Sequence, residues 1–137
     1  MTNEEYGRYV DALAPRSKTG KNLLNAFWVG GLICAIGQAL LNGYQALGLD
    51  ETTAGAAVSI SLVLLSAILT GFAVYDDIAK FAGAGTLVPI TGFANAVVAP
   101  AIEFQTEGFV LGTAAKMFTI AGPVIVYGLS ASVLYGV

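Results

Sequence analysis

Gly83, Gly85, Pro89, Thr91, Gly92 and Asn95 fall within one apolar stretch, Phe81 to Pro100, that is too interrupted to form a single straight helix. Glycine and proline at this spacing break helical hydrogen bonding and set backbone N–H and C=O groups free. A helix N-terminus exposed in this way offers partial positive charge to an anion, and free carbonyls offer ligands to a cation. Lys116 adds a full positive charge able to attract a carboxylate, with Glu103 or Glu107 as its resting partner, and Gln38 adds an amide able to line a polar path. This is the chemistry of binding and passage. Catalysis is not expected: the chain has no histidine, its one cysteine, Cys34, lacks an imidazole to activate it, and neither a metal site nor a cofactor is expected.

Each of these residues also has a plainer use. The glycines allow tight packing and the prolines kink. The flexible stem of Lys116 can carry its ammonium to the nearer interface. Gln38 and Asn42 can hydrogen-bond across a helix interface, and the carbonyl of Thr119, freed by Pro123, can simply be covered by a neighbour. The residues alone leave both uses open.

The elements that must position these groups follow from composition. The chain has 137 residues, of which 56% are hydrophobic and 11% charged, against roughly 25% charged in soluble domains. Mean hydropathy is +0.76. Nearly all charges lie at the ends and turns of long apolar segments, so the chain reads as an integral membrane protein, all-α, a polytopic transmembrane helix bundle of about four membrane segments that include broken or re-entrant helices. Six basic and nine acidic residues give a net charge of -3 and form no basic patch suited to nucleic acid.

Residues 1–22 form a polar N-terminal tail carrying Glu4, Glu5 and Asp11 beside Arg8, Arg16, Lys18 and Lys21, read as a retained tail and not a removed signal peptide. Residues 23–137 form the transmembrane domain. Leu23 to Leu47 is an uncharged span. Leu24, Trp28, Leu32, Ile36, Leu40 and Tyr44 make a bulky stripe suited to lipid, with an aromatic at each interface. Two adjacent stripes are small or polar: Gly31, Ala35, Ala39 and Gly43, expected to pack against helices, and Asn22, Ala26, Gly30, Cys34, Gln38 and Asn42.

A turn over Gly48 to Thr53 holds Asp50 and Glu51. Ala54 to Tyr75 is a second span, in which Ser59, Ser66 and Thr70 are expected to bond carbonyls of their own helix. Asp76, Asp77 and Lys80 close it. After the interrupted stretch, Gly108 to Val137 is a last apolar segment, either one long span kinked at Pro123 or two shorter pieces. If Phe81 to Pro100 spans, there are four crossings with both termini on one side; if it re-enters, there are three. Four is the expectation. The excess of arginine and lysine in the tail, against none at the Asp50/Glu51 turn, places the tail in the cytoplasm. Thr-Gly-Phe-Ala occurs at residues 70–73 and again at 91–94, which fits either an internal duplication or coincidence. With no acid inside the first two spans, passive conduction fits better than proton antiport.

Phe27-Trp-Val-Gly-Gly-Leu-Ile-Cys-Ala-Ile-Gly-Gln38, Leu69-Thr-Gly-Phe72, Phe81-Ala-Gly-Ala-Gly85, Val88-Pro-Ile-Thr-Gly-Phe-Ala-Asn95 and Glu107-Gly-Phe-Val-Leu-Gly112 occur in this order. Together they resemble the family of sporulation membrane proteins that comprises the stage V AC and AEb proteins, over about Phe27 to Val137. The resemblance implies a channel subunit of the forespore inner membrane that carries dipicolinic acid, with calcium, into the forespore and releases it at germination, with tension-gated behaviour. It also implies two partners, the AEb membrane subunit and the soluble dipicolinate-binding AD protein, and a hetero- or homo-oligomeric assembly. No site residues come with it. Two other functions fit the residues: a membrane adaptor that docks soluble partners, and a mechanosensitive pore without solute preference.

Overall fold

The computed structural model describes residues 2–13 and 18–136. Arg16, one of the basic residues of the tail, lies outside them. The tail is not featureless: α1 spans Asn3–Leu13. Its start is fixed by a reciprocal pair in which the Thr2 N–H donates to the Glu5 carboxylate at 2.8 Å and the Glu5 N–H donates to the Thr2 hydroxyl at 3.3 Å. The Thr-x-x-Glu spacing satisfies two otherwise unpaired amides at once.

α2 spans Thr19–Ala46 and α3 spans Glu51–Gly71. Asp50 ends the turn between them by accepting a hydrogen bond from the Thr53 N–H at 3.1 Å. Hydrogen bonds from Thr53, side chain first and then backbone, hold the Asp50 carboxyl below its ordinary range. α3 stops at Phe72, where Ala73 takes the left-handed conformation at φ +58°. The second span is therefore shorter than expected, and Tyr75 belongs to the next helix, α4, Val74–Ala82.

The interrupted stretch resolves into a break at Gly83, a single turn α5 over Ala84–Leu87, a second break at Val88 and Pro89, and α6 over Ile90–Glu103. Gly83 sits at φ +53°, a left-handed conformation that costs glycine little. Pro89 is extended and has no N–H to leave unpaired, so it can begin α6 where a donor would be stranded. A 3₁₀ turn at Gln105–Glu107 and a π-helical turn at Phe109–Ala114 lead into α7, Ala115–Gly136. α7 runs through Pro123 without interruption, so the last segment is one piece, and its irregularity lies at its beginning.

The direction of α6 decides the topology. Ser66 of α3 pairs with Thr91 of α6, and Thr70 pairs with Asn95. Both numbers advance by four together, so α3 and α6 run parallel; antiparallel helices would pair 66 with 95. Between them the chain must return from the end of α3 toward its middle. α4 crosses to the first turns of α2, where the Asn25 amide donates to the Phe81 carbonyl at 3.2 Å, and α5 descends along α2 until Gly85 meets Ala26 and Gly30. α6 then rises to the end from which α4 began. At 14 residues it is about 21 Å long, short of the roughly 30 Å hydrocarbon core.

Three helical segments, Thr19–Ala46, Glu51–Gly71 and Phe109–Gly136, are long and apolar enough to cross a membrane. The expectation of four crossings is corrected to three plus a re-entrant pair, which puts the N-terminal end of α2 and the C-terminal end of α7 on opposite sides. The sequence of the interrupted stretch does not show this, because its length and hydropathy carry no direction. The repeated tetrapeptide has two different structures: residues 70–73 end α3, whereas residues 91–94 lie in the first turns of α6. It marks no structural duplication.

Candidate functional site: the re-entrant break

Backbone that leaves the helical pattern at membrane depth must have its polar groups covered or wetted. Here it is covered. The Tyr75 hydroxyl donates to the Thr86 carbonyl at 3.0 Å and pairs with the Thr91 hydroxyl at 3.1 Å. The Ser66 hydroxyl donates to the Thr91 carbonyl at 2.6 Å. The Thr86 hydroxyl turns back on the Gly83 carbonyl at 3.0 Å. Ser66, Tyr75, Thr86 and Thr91 are all buried, at 0%, 4%, 2% and 5% exposure, and no buried side-chain polar atom among the described residues lacks a partner. Nearer the end of α3 the Thr70 hydroxyl donates to the Ser66 carbonyl at 2.8 Å and pairs with the half-buried Asn95 amide at 2.8 Å.

Two glycines make this fit possible. A Cβ on Gly85 would overlap the Ala26 carbonyl oxygen, and one on Gly92 would overlap the Thr86 carbonyl oxygen. Both therefore let backbone touch backbone, as glycine does at close helix crossings. Gly83, by contrast, is exposed, with open space where a side chain would point, and its role is conformational.

The structure thus brings Gly83, Gly85, Pro89, Thr91, Gly92 and Asn95 together around one break. It does not bring Gln38 there: Gln38 is exposed, and its amide donates to Asn42 one turn along its own helix at 2.9 Å. Stepping by four along an α-helix drifts by about 40° each time. The stripe that begins at Ala26 and Gly30 against α5 has consequently left that interface by Gln38. The same drift carries the bulky stripe inward at its far end, where Tyr44 is half-buried and its hydroxyl pairs with Ser61 at 2.7 Å.

Gly31, Ala35, Ala39 and Gly43 do not pack within the chain. All four are exposed, and neither Gly31 nor Gly43 has a neighbour within 4 Å of where a Cβ would stand. The packing glycines of α2 are instead Gly30, which meets Gly85, and Gly37, which meets Leu62.

Lys116 is half-buried, and its Nζ lies 3.9 Å from the centroid of the Phe104 ring, at the end of α6. The expected partners Glu103 and Glu107 are exposed, and the ion pair formed among the described residues is Lys80 with Asp77, at 3.1 Å. Lys116 lies fewer than two turns from Phe109, where its segment begins with a π turn, and a flexible stem suffices to return the ammonium toward that end. Lys18, Lys21, Lys80 and Lys116 consequently share the end at which α2 begins, while Asp50 and Glu51 mark the other.

Sequence reasoning missed Asn25, Tyr75 and Thr86, and it assigned Ser66 to its own helix. Ser59 and Thr70 do bond carbonyls four residues back, but Ser66 reaches across 25 residues. No local signal separates the two behaviours. The break itself was the available clue, since its freed carbonyls need donors from neighbouring helices.

The model of the SpoVAC/SpoVAEB sporulation membrane protein family matches residues 22–137. The chain belongs to this family. It is 49% identical over 139 aligned positions to Stage V sporulation protein AC of Bacillus subtilis (strain 168), covering 99% of this chain and 93% of that protein. No solved structure matches. The family is one of sporulation membrane proteins, which agrees with three helices long and apolar enough to cross a membrane.

Proposed function

We propose that this chain is a channel subunit that passes dipicolinic acid, with calcium, across the inner membrane of the forespore, inward during spore formation and outward at germination. It acts with the AEb membrane subunit and the soluble dipicolinate-binding AD protein, and it catalyses no reaction. The observation that carries this reading is the re-entrant pair latched to α3 by Ser66 and Thr91. A rigid adaptor has no need of irregular backbone at membrane depth, where each unsatisfied polar group costs several kcal/mol.

The charge distribution supports an orientation. Four lysines lie at the end of the bundle where α2 begins and none at the Asp50 turn, so that end faces the cytoplasm of the forespore. α6 begins at mid-depth without a side-chain cap, and its N-terminus carries the positive end of a 14-residue helix dipole. Dipicolinate is a planar dianion, and such an end favours carboxylates once the latch opens. Lys116, at the rim over Phe104, attracts the dianion at the entrance and not midway.

Dipicolinate content of spores lacking this chain tests the proposal. Strongly reduced content is expected, and normal content overturns it. The adaptor reading separates on Asn95→Ala and Thr91→Val: variants that still assemble with their partners but change the rate of dipicolinate movement support the channel, whereas unchanged movement in both supports the adaptor.

A further inference from the structure

Between α2 and α3, above the buried hydroxyls, the structure holds a cavity of about 180 Å³. Ile33, Leu62 and Ile78 form its inner wall. Leu32, Ile36 and Leu65 stand at its mouth, exposed by 60%, 40% and 44% on the outer face of the two spans. The cavity therefore opens sideways, midway along helices that cross the membrane, toward hydrocarbon.

We propose that this cavity binds one acyl chain of a bilayer phospholipid, which then lies against the hydrogen bonds that hold the re-entrant helices. Three observations argue for that occupant. First, the cavity wall is apolar. A buried water needs two to four polar partners, and the hydroxyl protons of Ser66, Tyr75 and Thr86 are already given to carbonyls, leaving a surface of carbon. Secondly, the size suits a short run of methylenes. An apolar cavity of about 150 Å³ accepts benzene, whereas a helix of another subunit, about 10 Å across with its side chains, is too thick to enter. Thirdly, the mouth lies at a depth where acyl chains are the abundant apolar molecules, and each buried methylene that fills a void gains dispersion contacts the empty wall lacks.

The floor of the cavity is the latch. Ser66, Tyr75, Thr86 and Thr91 line it as well as joining α3 and α4 to the break. The occupant thus packs directly on the groups that hold the break to α3 and α4.

The full chain in lipid nanodiscs containing a phosphatidylcholine with a diazirine in its acyl chain tests this. Photolabelling mapped by peptide mass spectrometry is expected on the inward Leu62 and Ile78 at a level comparable to that on Leu64, which is 59% exposed on the outer face of α3. Val29→Phe, which fills the cavity, is expected to lower labelling of Leu62 by about tenfold, as loss of roughly two buried methylenes implies, while labelling of Leu64 is kept. Leu69→Phe, from the opposite wall, provides the same test if the first variant does not fold. Labelling confined to outward residues in the unsubstituted chain, or inward labelling unchanged in a folded filling variant, overturns the proposal.

Discussion

The Ser66 hydroxyl donates to the Thr91 carbonyl at 2.6 Å, across 25 residues of chain and with Ser66 fully buried. This bond joins a continuous span to the first turn of a helix that begins inside the membrane. Together with the pair of Thr70 and Asn95 it sets α6 parallel to α3, and so makes the segment between them re-entrant.

Ser66→Ala is expected to destabilise the chain by about 1 kcal/mol, the scale of one inter-helix hydrogen bond in a membrane. Ser59→Ala, which removes a bond only to its own helix, is expected to change stability by less. Thermal unfolding of both variants in the same nanodiscs measures the difference; equal effects contradict a special role for Ser66.

The glycines divide in the same way. Gly85→Ala and Gly92→Ala drive a methyl into backbone carbonyls and are expected to cost about 1–3 kcal/mol or to prevent folding. Gly31→Ala and Gly43→Ala meet open space and are expected to be neutral or to stabilise α2 by up to about 1 kcal/mol. A Gly31→Ala chain that is stable alone yet fails to assemble locates a neighbouring subunit on that face.

Much of this is legible in the amino-acid sequence. The two uncharged spans, the acidic turn at Asp50 and the helix-breaking run from Gly83 to Pro89 follow from hydropathy and from the backbone chemistry of glycine and proline. What the run does was not legible. A helix that turns back and one that continues across have the same composition, and only the pairing of residues 66 and 70 with 91 and 95 separates them. Nor does sequence distinguish Gly30, pressed against Gly85, from its neighbour Gly31, which faces outward: one residue is a rotation of about 100°. Lys116 illustrates the same limit, because its place near the start of the last apolar segment does not reveal that its ammonium lies over the Phe104 ring.

Lys116→Met and Phe104→Leu are expected to interact. Each removes the same cation–π contact, so the double variant is less destabilised than the sum of the two by about 0.5–1 kcal/mol. Unfolding of the three variants closes the cycle; strict additivity contradicts the contact.

Three crossings predict which ends share a side. With Cys34→Ser as background, Asp50→Cys and Gly136→Cys are expected to react with an impermeant maleimide from one side of the membrane, and Lys18→Cys and Glu107→Cys from the other. Reaction of Gly136→Cys from the side of Lys18→Cys contradicts the re-entrant arrangement.

The central claim, that the re-entrant break lies on the route of the solute, is tested most directly at its apex. Val88 is 85% exposed between α5 and Pro89, whereas Leu64 faces outward from the middle of an ordinary span. In the assembled complex, in a Cys34→Ser background, a charged thiol reagent reacts only where water reaches. Modification of Val88→Cys that blocks dipicolinate movement, with Leu64→Cys left unmodified, is the predicted result. A conducting complex in which Val88→Cys stays unreactive, or is modified without any change in dipicolinate movement, contradicts it.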